Sequence, residues 1–491
     1  MPSRTNPAPG GCPPAPTLRL QVYQDLRRGI ESGTLAPGSR LPPSRSLALE
    51  LGVARNTVLW ALERLRAEGF VEARVGSGSH VAAGLAALRG GRRPGSATAG
   101  IASHLVDAAL SRRGRRIADS ALLWQPPRVP AAPFRIGAPE VASFPFAQWE
   151  RLARQAAAPQ REAAAQYLDP AGLPELREAI AHWLWVSRGV RCDAGQILVT
   201  SGSQQGIDLV GRLLLDEGDE ALVEDPGYPG IRACLLGHGA HVRPLPVDAQ
   251  GLVIAGAARQ WPAAKLAVVT PTHQFPTGVR MSLARRLELL AWARERQAWI
   301  VEDDYDGEFQ YGAHRLDALC SLPHAERVIY LGTFSKTLHP GLRLGFLVLP
   351  HALMPAFTAG KTLLDRHAPG QLQQVLARFI ADGHLLRHLR RMRELYAGRQ
   401  ALLIDALARS SRGALRLEPA AHGMHLLAET PGRDLPLASA CAEVGVLLAP
   451  LSRYAIESPR QGWLFGYAAY DDAALREAAR RVGPLLKRHA G

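Results

Sequence analysis

One segment, residues 331–345, restricts the fold and chemistry of this chain more than any other. It reads Leu-Gly-Thr-Phe-Ser-Lys-Thr-Leu-His-Pro-Gly-Leu-Arg-Leu-Gly, which places Lys336 just after Thr333 and Ser335 and seven residues before Arg343. A lysine amine can react with an aldehyde, and hydroxyls together with a guanidinium can bind a phosphate. Pyridoxal phosphate carries both an aldehyde and a phosphate, so a site for it requires these residue types together. Only four of the 58 basic residues are lysines, and arginine cannot replace lysine where an imine forms. Lys336 is therefore a candidate cofactor lysine.

The length and composition indicate a globular protein of two or three domains. The chain has 491 residues, 47% of them apolar and 21% charged, and no run of eighteen apolar residues predicts a membrane span. Its five cysteines are scattered without a Cys-x-x-Cys pair, so we expect no metal site, no disulfide framework and a cytoplasmic location. Residues 1–16 contain six prolines and are predicted to be a disordered tail rather than a secretory signal.

The positive charge is concentrated near the N-terminus. Residues 1–125 contain 17 arginines and 8 acidic residues, a net charge of +9 out of +14 for the whole chain. Such an excess in one terminal segment is typical of a protein that binds the phosphate backbone of nucleic acid. Arginine is also the dominant basic residue elsewhere, so charge alone leaves the question open.

The first eighty residues carry the pattern of a helix-turn-helix module. A first helix is predicted by apolar residues at helical spacing, which are Leu20, Tyr23, Leu26 and Ile30. A short helix around Leu47, a glycine turn at Gly52 and a longer periodic run from Val58 to Leu65 follow. Residues 70–81 then predict two short strands around a glycine tip, which would form a wing suited to the minor groove.

The longer helix is predicted to expose Arg55, Asn56 and Thr57 in its first turn, and these residue types reach base edges and phosphates. Residues 18–81 resemble the winged helix of GntR-type transcriptional regulators, through Leu-Pro-Pro-Ser-Arg-Ser-Leu-Ala at 41–48 and Leu-Gly-Val-Ala-Arg-Asn-Thr-Val at 51–58. We place this domain at residues 17–82; the alternative is a small helical domain without nucleic acid. The resemblance implies double-stranded promoter DNA as a partner and contacts from Arg45, Arg55, Asn56, Thr57 and Gly78.

Residues 83–132 are rich in alanine, glycine and arginine and predict a flexible linker. From residue 133 to 491, apolar strands alternate with helical stretches, which indicates an α/β domain around a mostly parallel sheet. The predicted strands are Gln196–Thr200, Ala221–Glu224, Leu266–Thr270, Ala298–Glu302, Val328–Leu331 and Leu344–Leu349.

Candidate ligand-binding residues follow these strands, and the carboxyl ends of parallel strands are where ligands gather. Residues 201–205, Ser-Gly-Ser-Gln-Gln, open a helix and could hold a phosphate, and Tyr228 offers a ring for stacking. Asp303 and Tyr305 are two apart in extended chain and project to the same side. One carboxylate could keep a pyridine nitrogen protonated while the phenol bonds the ring oxygen.

Together these segments resemble the fold-type I aminotransferases across residues 133–490, and the whole chain resembles the MocR subfamily of GntR regulators. The resemblance implies pyridoxal phosphate as cofactor, Lys336 in its internal aldimine, Asp303 on the pyridine nitrogen, Tyr305 on the ring hydroxyl and Tyr228 stacked on the ring. It implies phosphate contacts from Ser203, Gln204, Thr333, Ser335 and Arg343. It also implies a head-to-tail homodimer in which each DNA-binding module is passed over to the partner's large domain.

Two positions depart from ordinary aminotransferases. Aminotransferases have an Asn-Pro-x-Gly turn, and in this chain Phe275 stands at the position of the asparagine, for which His273 or Gln274 could substitute. The stretch 463–467 also lacks the arginine that usually binds the substrate carboxylate. Arg453 is the candidate for binding the carboxylate of an effector. We therefore expect a regulator that senses pyridoxal phosphate, an amine or an amino acid rather than an enzyme. The alternatives are an aminotransferase with an accessory DNA-binding domain, or a regulator that has lost the cofactor.

Overall fold

The computed structural model of this chain describes residues 18–74, 77–84, 110–123, 132–157, 166–312 and 316–489. The chain divides into two compact units, residues 1–105 and 106–491. The tail predicted at residues 1–16 lies outside the described residues. No helix among the described residues is long and apolar enough to cross a membrane.

The N-terminal unit has the predicted winged helix-turn-helix fold. Its elements are α1 (Leu18–Ser32), α2 (Ser44–Glu50), α3 (Arg55–Ala67), β1 (Val71–Arg74) and β2 (Gly78–Val81). Gly52, in the turn between α2 and α3, has a φ of 65°, a left-handed conformation that glycine adopts without steric cost. The strands pair antiparallel, with Val71 opposite Val81. Val58 and Leu65 on α3 are completely buried against the other two helices, so the wing and the helices share one core.

Part of the segment predicted as a linker is folded. Helix α4 (Arg112–Ala121) begins after Ser111, whose hydroxyl accepts a hydrogen bond from the Gly114 amide at 3.0 Å. The helix lies on the large unit, where Arg116 forms a 2.6 Å ion pair with Glu217. The structure therefore has a helix within the stretch that composition predicted as a flexible linker, and this helix packs against the large unit. Most of the remaining linker lies outside the described residues.

The large unit is built on an eight-stranded sheet, as far as the described residues show. Its strands are β3 (Ile197–Thr200), β4 (Glu220–Asp225), β5 (His241–Asp248), β6 (Gly251–Leu252), β7 (Ala264–Val269), β8 (Trp299–Asp304), β9 (Val328–Thr333) and β10 (Gly345–Val348). The order is β3-β10-β9-β8-β7-β4-β5-β6, with parallel pairing from β9 to β5 and antiparallel pairing of β10 to both of its neighbours. The mostly parallel α/β sheet is thus confirmed.

The register of β10 brings two turns together. Gly345 lies opposite Thr200 at the end of β3 and opposite Thr333 at the end of β9. Ile197 and Val199 belong to a different apolar cluster from Leu198, so both faces of this sheet are buried. The turns after β3 and β9 therefore emerge side by side from a rigid, doubly covered sheet.

Helices and a smaller sheet complete the large unit. The helices are α5 (Phe146–Ala157), α6 (Pro174–Arg188), α7 (Ser203–Leu214), α8 (Pro229–His238), α9 (Ala257–Gln260), α10 (Leu283–Arg296), α11 (Phe334–Thr337), α12 (Met354–Leu364), α13 (Gly370–Ala381), α14 (His384–Ser410), α15 (Leu435–Glu443) and α16 (Asp472–His489). The second sheet is antiparallel and consists of β11 (His425–Glu429), β13 (Gly462–Gly466) and β12 (Ala449–Pro450), in that order.

Candidate functional site

Lys336 lies at the carboxyl end of β9, on the single turn of α11 that follows the strand directly. Its Nζ donates a 2.6 Å hydrogen bond to the carbonyl oxygen of Gly137. Burial lowers the pKa of the Lys336 amine, although the carboxylates of Asp306 and Asp303 act in the opposite direction. The net lowering favours the neutral amine, which is the form that attacks an aldehyde.

Asp303 lies near the end of the neighbouring strand β8 and is only 5% exposed. Burial, followed by the charges of Asp304 and Glu224, raises its pKa to about 7. Its Oδ1 atom has no hydrogen-bond partner among the described residues, which is costly for a buried carboxylate oxygen. A protonated ring nitrogen would supply both the missing donor and the countercharge. This unpartnered oxygen is the observation that best fits pyridoxal phosphate.

Tyr305 belongs to a hydrogen-bonded network that the sequence did not predict. Its hydroxyl lies 2.8 Å from Nδ1 of His273, and the same nitrogen lies 2.9 and 3.1 Å from the two carboxylate oxygens of Asp306. An unprotonated Nδ1 would direct its lone pair at the Asp306 carboxylate, which would be repulsive. We therefore assign the ring proton to Nδ1, where the N–H donates to both the Asp306 carboxylate and the Tyr305 oxygen. The hydroxyl proton of Tyr305 then remains available to a further acceptor.

Phe275 lies at the centre of an aromatic cluster beside this network. Its ring centroid is 5.7 Å from that of Tyr228, 6.0 Å from Tyr305 and 5.3 Å from Tyr454, and each pair is nearly perpendicular. Gln274 does not take the place of the asparagine, because its amide donates to Glu224 and to two backbone carbonyls. Of the two residues considered as substitutes, only His273 contacts Tyr305.

The turn between β3 and α7 could hold a phosphate. Gly202 precedes α7 with a φ of 96°, and a Cβ atom there would lie 3.0 Å from Nη2 of Arg343. That guanidinium donates to the carbonyl oxygen of Ser201 at 2.9 Å, so it lies directly at the helix N-terminus where Ser203 begins α7. Helix amides and a guanidinium together favour a phosphate group.

Three further predicted phosphate contacts surround this turn. Gln204 donates to the carbonyl oxygen of Gly230 at 3.1 Å, while its Oε1 has no partner among the described residues. The hydroxyl of Thr333 accepts a 3.2 Å hydrogen bond from the Ser335 amide and so caps α11. The structure therefore gathers the predicted residues at one edge of the sheet, with the Thr333 hydroxyl already engaged.

Arg453 lies on a 3-10 turn, Leu451–Tyr454, that is tied to the end of β4. The carbonyl oxygen of Tyr454 accepts a 3.0 Å hydrogen bond from the Gly227 amide. The carboxylate of Asp225 accepts three more from the backbone amides of residues 456–458, at 2.7–2.8 Å. Arg453 is exposed and β13 contains no arginine, so its role toward a carboxylate remains a prediction.

In the N-terminal unit, four of the five predicted DNA contacts are accessible. Arg45, Arg55, Asn56 and Gly78 are exposed, and Gly78 has a φ of 87° next to the wing tip. Thr57 is only 8% exposed, so the prediction that the helix exposes it is wrong. It precedes Ala61 by four residues and shares its inward face, where Ala61 is completely buried.

Comparisons with known proteins agree with both units. Residues 18–81 match the model of bacterial regulatory proteins of the gntR family, and residues 137–482 match that of aminotransferase class I and II. The probable rhizopine catabolism regulatory protein MocR of Rhizobium meliloti is 39% identical over 94% of this chain and 92% of its own length. The HTH-type transcriptional regulator TauR of Rhodobacter capsulatus is 34% identical over 98% of both chains.

Solved structures of aminotransferases match the large unit. LysN, the α-aminoadipate aminotransferase of Thermus thermophilus, superimposes with a TM-score of 0.69 at 28% identity, over 78% of this chain and 98% of its own. It was solved with N-(5'-phosphopyridoxyl)-L-leucine, and pyridoxal phosphate is the cofactor of this fold. A winged helix and an aminotransferase-like domain thus occur in one chain that matches known regulators over almost its whole length. The chain therefore belongs to the MocR subfamily of GntR-type transcriptional regulators.

Proposed function

We propose that this regulator binds promoter DNA through Arg45, Arg55, Asn56 and Gly78, and that it senses an amine or amino acid at Lys336. The observation that carries the proposal is the buried Oδ1 atom of Asp303, which has no hydrogen-bond partner among the described residues and lies beside a lysine of lowered pKa, in a chain that also exposes the start of α3. We place its action in the cytoplasm, as a head-to-tail homodimer. Large apolar side chains on the surface of the large unit support self-association, since Leu363 is 88% and Trp185 60% exposed.

The proposed roles of the site residues follow from their positions. The cofactor, when bound, supplies an aldehyde that captures primary amines and a ring that withdraws electrons. Lys336 provides the attachment amine, Asp303 holds a proton on the ring nitrogen, and Tyr228 covers the ring face. Ser203, Gln204, Ser335 and Arg343 bind the phosphate, assisted by Thr333, which orients the Ser335 amide.

His273 is proposed as the residue that replaces the aminotransferase asparagine. By donating Nδ1–H to the Tyr305 oxygen, it makes the phenol a stronger donor to the ring oxygen, and Asp306 keeps the imidazole in that orientation. The ring oxygen is thereby stabilised in its negatively charged form without an asparagine at position 275. His273 is a positioning residue, because it acts through Tyr305.

Replacing His273 with phenylalanine should move the pH midpoint of the visible band of the lysine-bound cofactor to higher pH. Without the imidazole donor, negative charge on the ring oxygen is less stabilised, so its proton is held more tightly. Absorption spectra recorded across a pH series measure the midpoint. His351→Asn is the control, because His351 is 65% exposed and pairs with Asp193 on the surface. An unchanged midpoint in His273→Phe would remove this residue from the site.

The effector response provides the direct test of the sensor proposal. An amine that displaces Lys336 should shift the population of the large unit and change the affinity for the promoter of the regulator's own gene or of its divergent neighbour. We expect Lys336→Ala to bind this DNA but to lose the response to amines, measured by fluorescence anisotropy. A response that persists in the variant contradicts sensing at Lys336. Steady conversion of an amino donor and a keto acid by the wild type would instead favour the aminotransferase alternative.

Arg55→Ala should weaken the operator complex by about 1–3 kcal/mol if this side chain contacts a base. Arg55 opens α3 and is exposed, and its guanidinium makes only a long 3.4 Å hydrogen bond to Ser44 among the described residues, so it can turn toward DNA. The control is Arg28→Ala on α1, where the arginine is 75% exposed and pairs with Asp25. We expect the operator affinity of this variant to stay near that of the wild type, and its free energy of unfolding to change by at most about 0.5 kcal/mol. Equal losses in both variants would indicate general charge attraction rather than a specific contact.

A further inference from the structure

Three side chains far from Lys336 in sequence form a cluster on helices α7 and α8. Cys234 and His238 are four residues apart on α8 and therefore share one face, which meets Asp208 on α7. One ligand atom from each side chain lies within 4.8 Å of the other two. Nε2 of His238 is already 2.8 Å from Oδ1 of Asp208. A sulfur, an imidazole nitrogen and a carboxylate oxygen thus converge on one point.

Small side-chain movements would bring these atoms to the spacing of a tetrahedral zinc site. Zinc–ligand distances of about 2.0–2.3 Å in a tetrahedron place neighbouring ligand atoms roughly 3.3–3.6 Å apart. The contact between His238 and Asp208 would have to lengthen by roughly half an ångström for an ion to enter between them. Rotation of the exposed end of Asp208, whose side chain is 33% exposed, can provide that change.

The surroundings favour an imidazole at this position and leave a route for the ion. Gly211 on α7 lies beside the ring, and a Cβ atom there would come within 2.6 Å of Cδ2 of His238. Only glycine therefore lets the ring lie against α7. All three side chains are half-buried, so water can reach a fourth coordination position. Arg212 opposes binding, since its Nε lies 3.5 Å from Asp208, but it is 44% exposed and can swing away.

We propose that Asp208, Cys234 and His238 bind one Zn²⁺-like transition-metal ion. The mixture of a thiolate, an imidazole and a carboxylate suits zinc or cobalt and does not suit Mg²⁺ or Ca²⁺, which prefer oxygen ligands alone. On binding, Cys234 gives up its thiol proton to solvent, the hydrogen bond from Nε2 of His238 to Asp208 breaks, and the imidazole proton moves by way of solvent to Nδ1, so that Nε2 can coordinate the ion. The scattered cysteines predicted no metal site because spacing along the chain cannot show that α7 and α8 bring these ligands together.

The location gives the ion a structural consequence. Helix α4 of the linker segment rests on the C-terminal end of α8, where a Cβ atom on Gly237 would lie 3.4 Å from both Ile117 and Ser120. The opposite end of α8 begins after Tyr228, the residue proposed to cover the cofactor ring. An ion that joins α8 to α7 next to Gly237 would therefore stabilise the surface on which α4 is docked, and α8 connects that surface to the sensing site.

Cobalt binding tests the proposal in the full-length holoprotein, after removal of any purification tag. We expect equilibrium dialysis against CoCl₂ to give one tightly bound ion per chain, together with a thiolate-to-cobalt charge-transfer band in the difference spectrum, and ZnCl₂ should abolish the band. Cys234→Ser should lose the band and weaken binding by about tenfold or more. Cys192→Ser, which changes another half-buried cysteine, should retain both.

His238→Gln provides a second test if Cys234→Ser folds poorly. It should also weaken cobalt binding, and the visible spectrum of the cofactor shows whether its large unit is intact. Binding also predicts slower proteolysis within residues 110–123, which contain α4, when zinc is present. Cobalt that binds equally to wild type, Cys234→Ser and His238→Gln would be an adventitious ion only and would overturn the proposal. A charge-transfer band that survives Cys234→Ser would overturn it as well.

Discussion

The Lys336→Ala variant is expected to lose the visible absorption band of the lysine-bound cofactor completely. Lys336 is the lysine that lies beside Asp303 and Asp306, and burial lowers its pKa toward the neutral, reactive amine. Of the other three lysines, Lys265 donates to Asp219 at 2.8 Å, Lys361 forms an ion pair with Asp365, and Lys487 is exposed on α16. No other amine among the described residues is therefore placed to restore the attachment.

Two further variants separate covalent attachment from charge. Lys336→Arg keeps a cation near Asp303 but has no nucleophilic amine, so we expect it to be as colourless as Lys336→Ala. Lys265→Ala removes a lysine that is 52% exposed and should retain the full band. Absorption spectra of the purified proteins give the result, and chemical denaturation shows that the large unit of each variant is folded. A visible band that remains in Lys336→Ala would show that another residue carries the cofactor.

The parts of the site that lie close together in the chain could be predicted from sequence. Thr333, Ser335, Lys336 and Arg343 fall within one short segment, and their grouping needs only a strand followed by a turn. The position of Asp303 in the site could be predicted because ligands gather at the carboxyl ends of parallel strands. In these cases the strand pattern, together with the rule for parallel sheets, is enough to predict which residues meet.

The contact between His273 and Asp306 could not be predicted in this way. The two residues are 33 positions apart, and their 2.9 Å contact depends on how two loops after different strands pack together. Asp306 appeared in the sequence as one of several acidic residues. The burial of Thr57, in contrast, could have been predicted from the sequence. Thr57 precedes Ala61 by four residues, and this spacing places both on the inward face of the helix.

Strand β5 was missed for a physical reason. It contains Pro244 and Pro246, and proline cannot donate a hydrogen bond to a neighbouring strand, which argues against an interior strand. The two prolines are two residues apart, so the missing donors lie on the same side of the strand. Beyond β5 the described sheet has only β6, which pairs with Val247 and Asp248 after the prolines. The sheet therefore accommodates both residues near its edge.

Arg188 anchors the end of β8 and the loop that follows it, the segment that carries Asp303, Tyr305 and Asp306. Its guanidinium donates to Asp304 at 2.6 Å, to Thr272 at 2.7 Å and to the carbonyl oxygen of Leu316 at 2.8 Å. Arg188 and Asp304 are each 1% exposed, so neither charge is solvated by water. Burial, the largest single influence, lowers the pKa of Arg188, but Asp304, Tyr330 and Glu308 together outweigh it and raise the pKa well above its usual value. The guanidinium of Arg188 therefore stays charged inside the protein.

Replacing Arg188 with alanine should lower the free energy of unfolding by about 3–5 kcal/mol, because it leaves the Asp304 charge buried without a partner. Chemical denaturation measures the loss, and release of the cofactor should accompany it, since the neighbouring Asp303 shares the strand. Arg188→Met fills most of the same volume without the charge. If Arg188→Met loses as much free energy of unfolding as Arg188→Ala, the effect is electrostatic. If Arg188→Met recovers stability, the effect is due to packing. Arg154→Ala removes an exposed pair with Glu150 at 3.9 Å and should cost at most about 1 kcal/mol. If Arg188→Ala were as stable as Arg154→Ala, the buried pair with Asp304 would not stabilise the fold, and the loop would be positioned by packing alone.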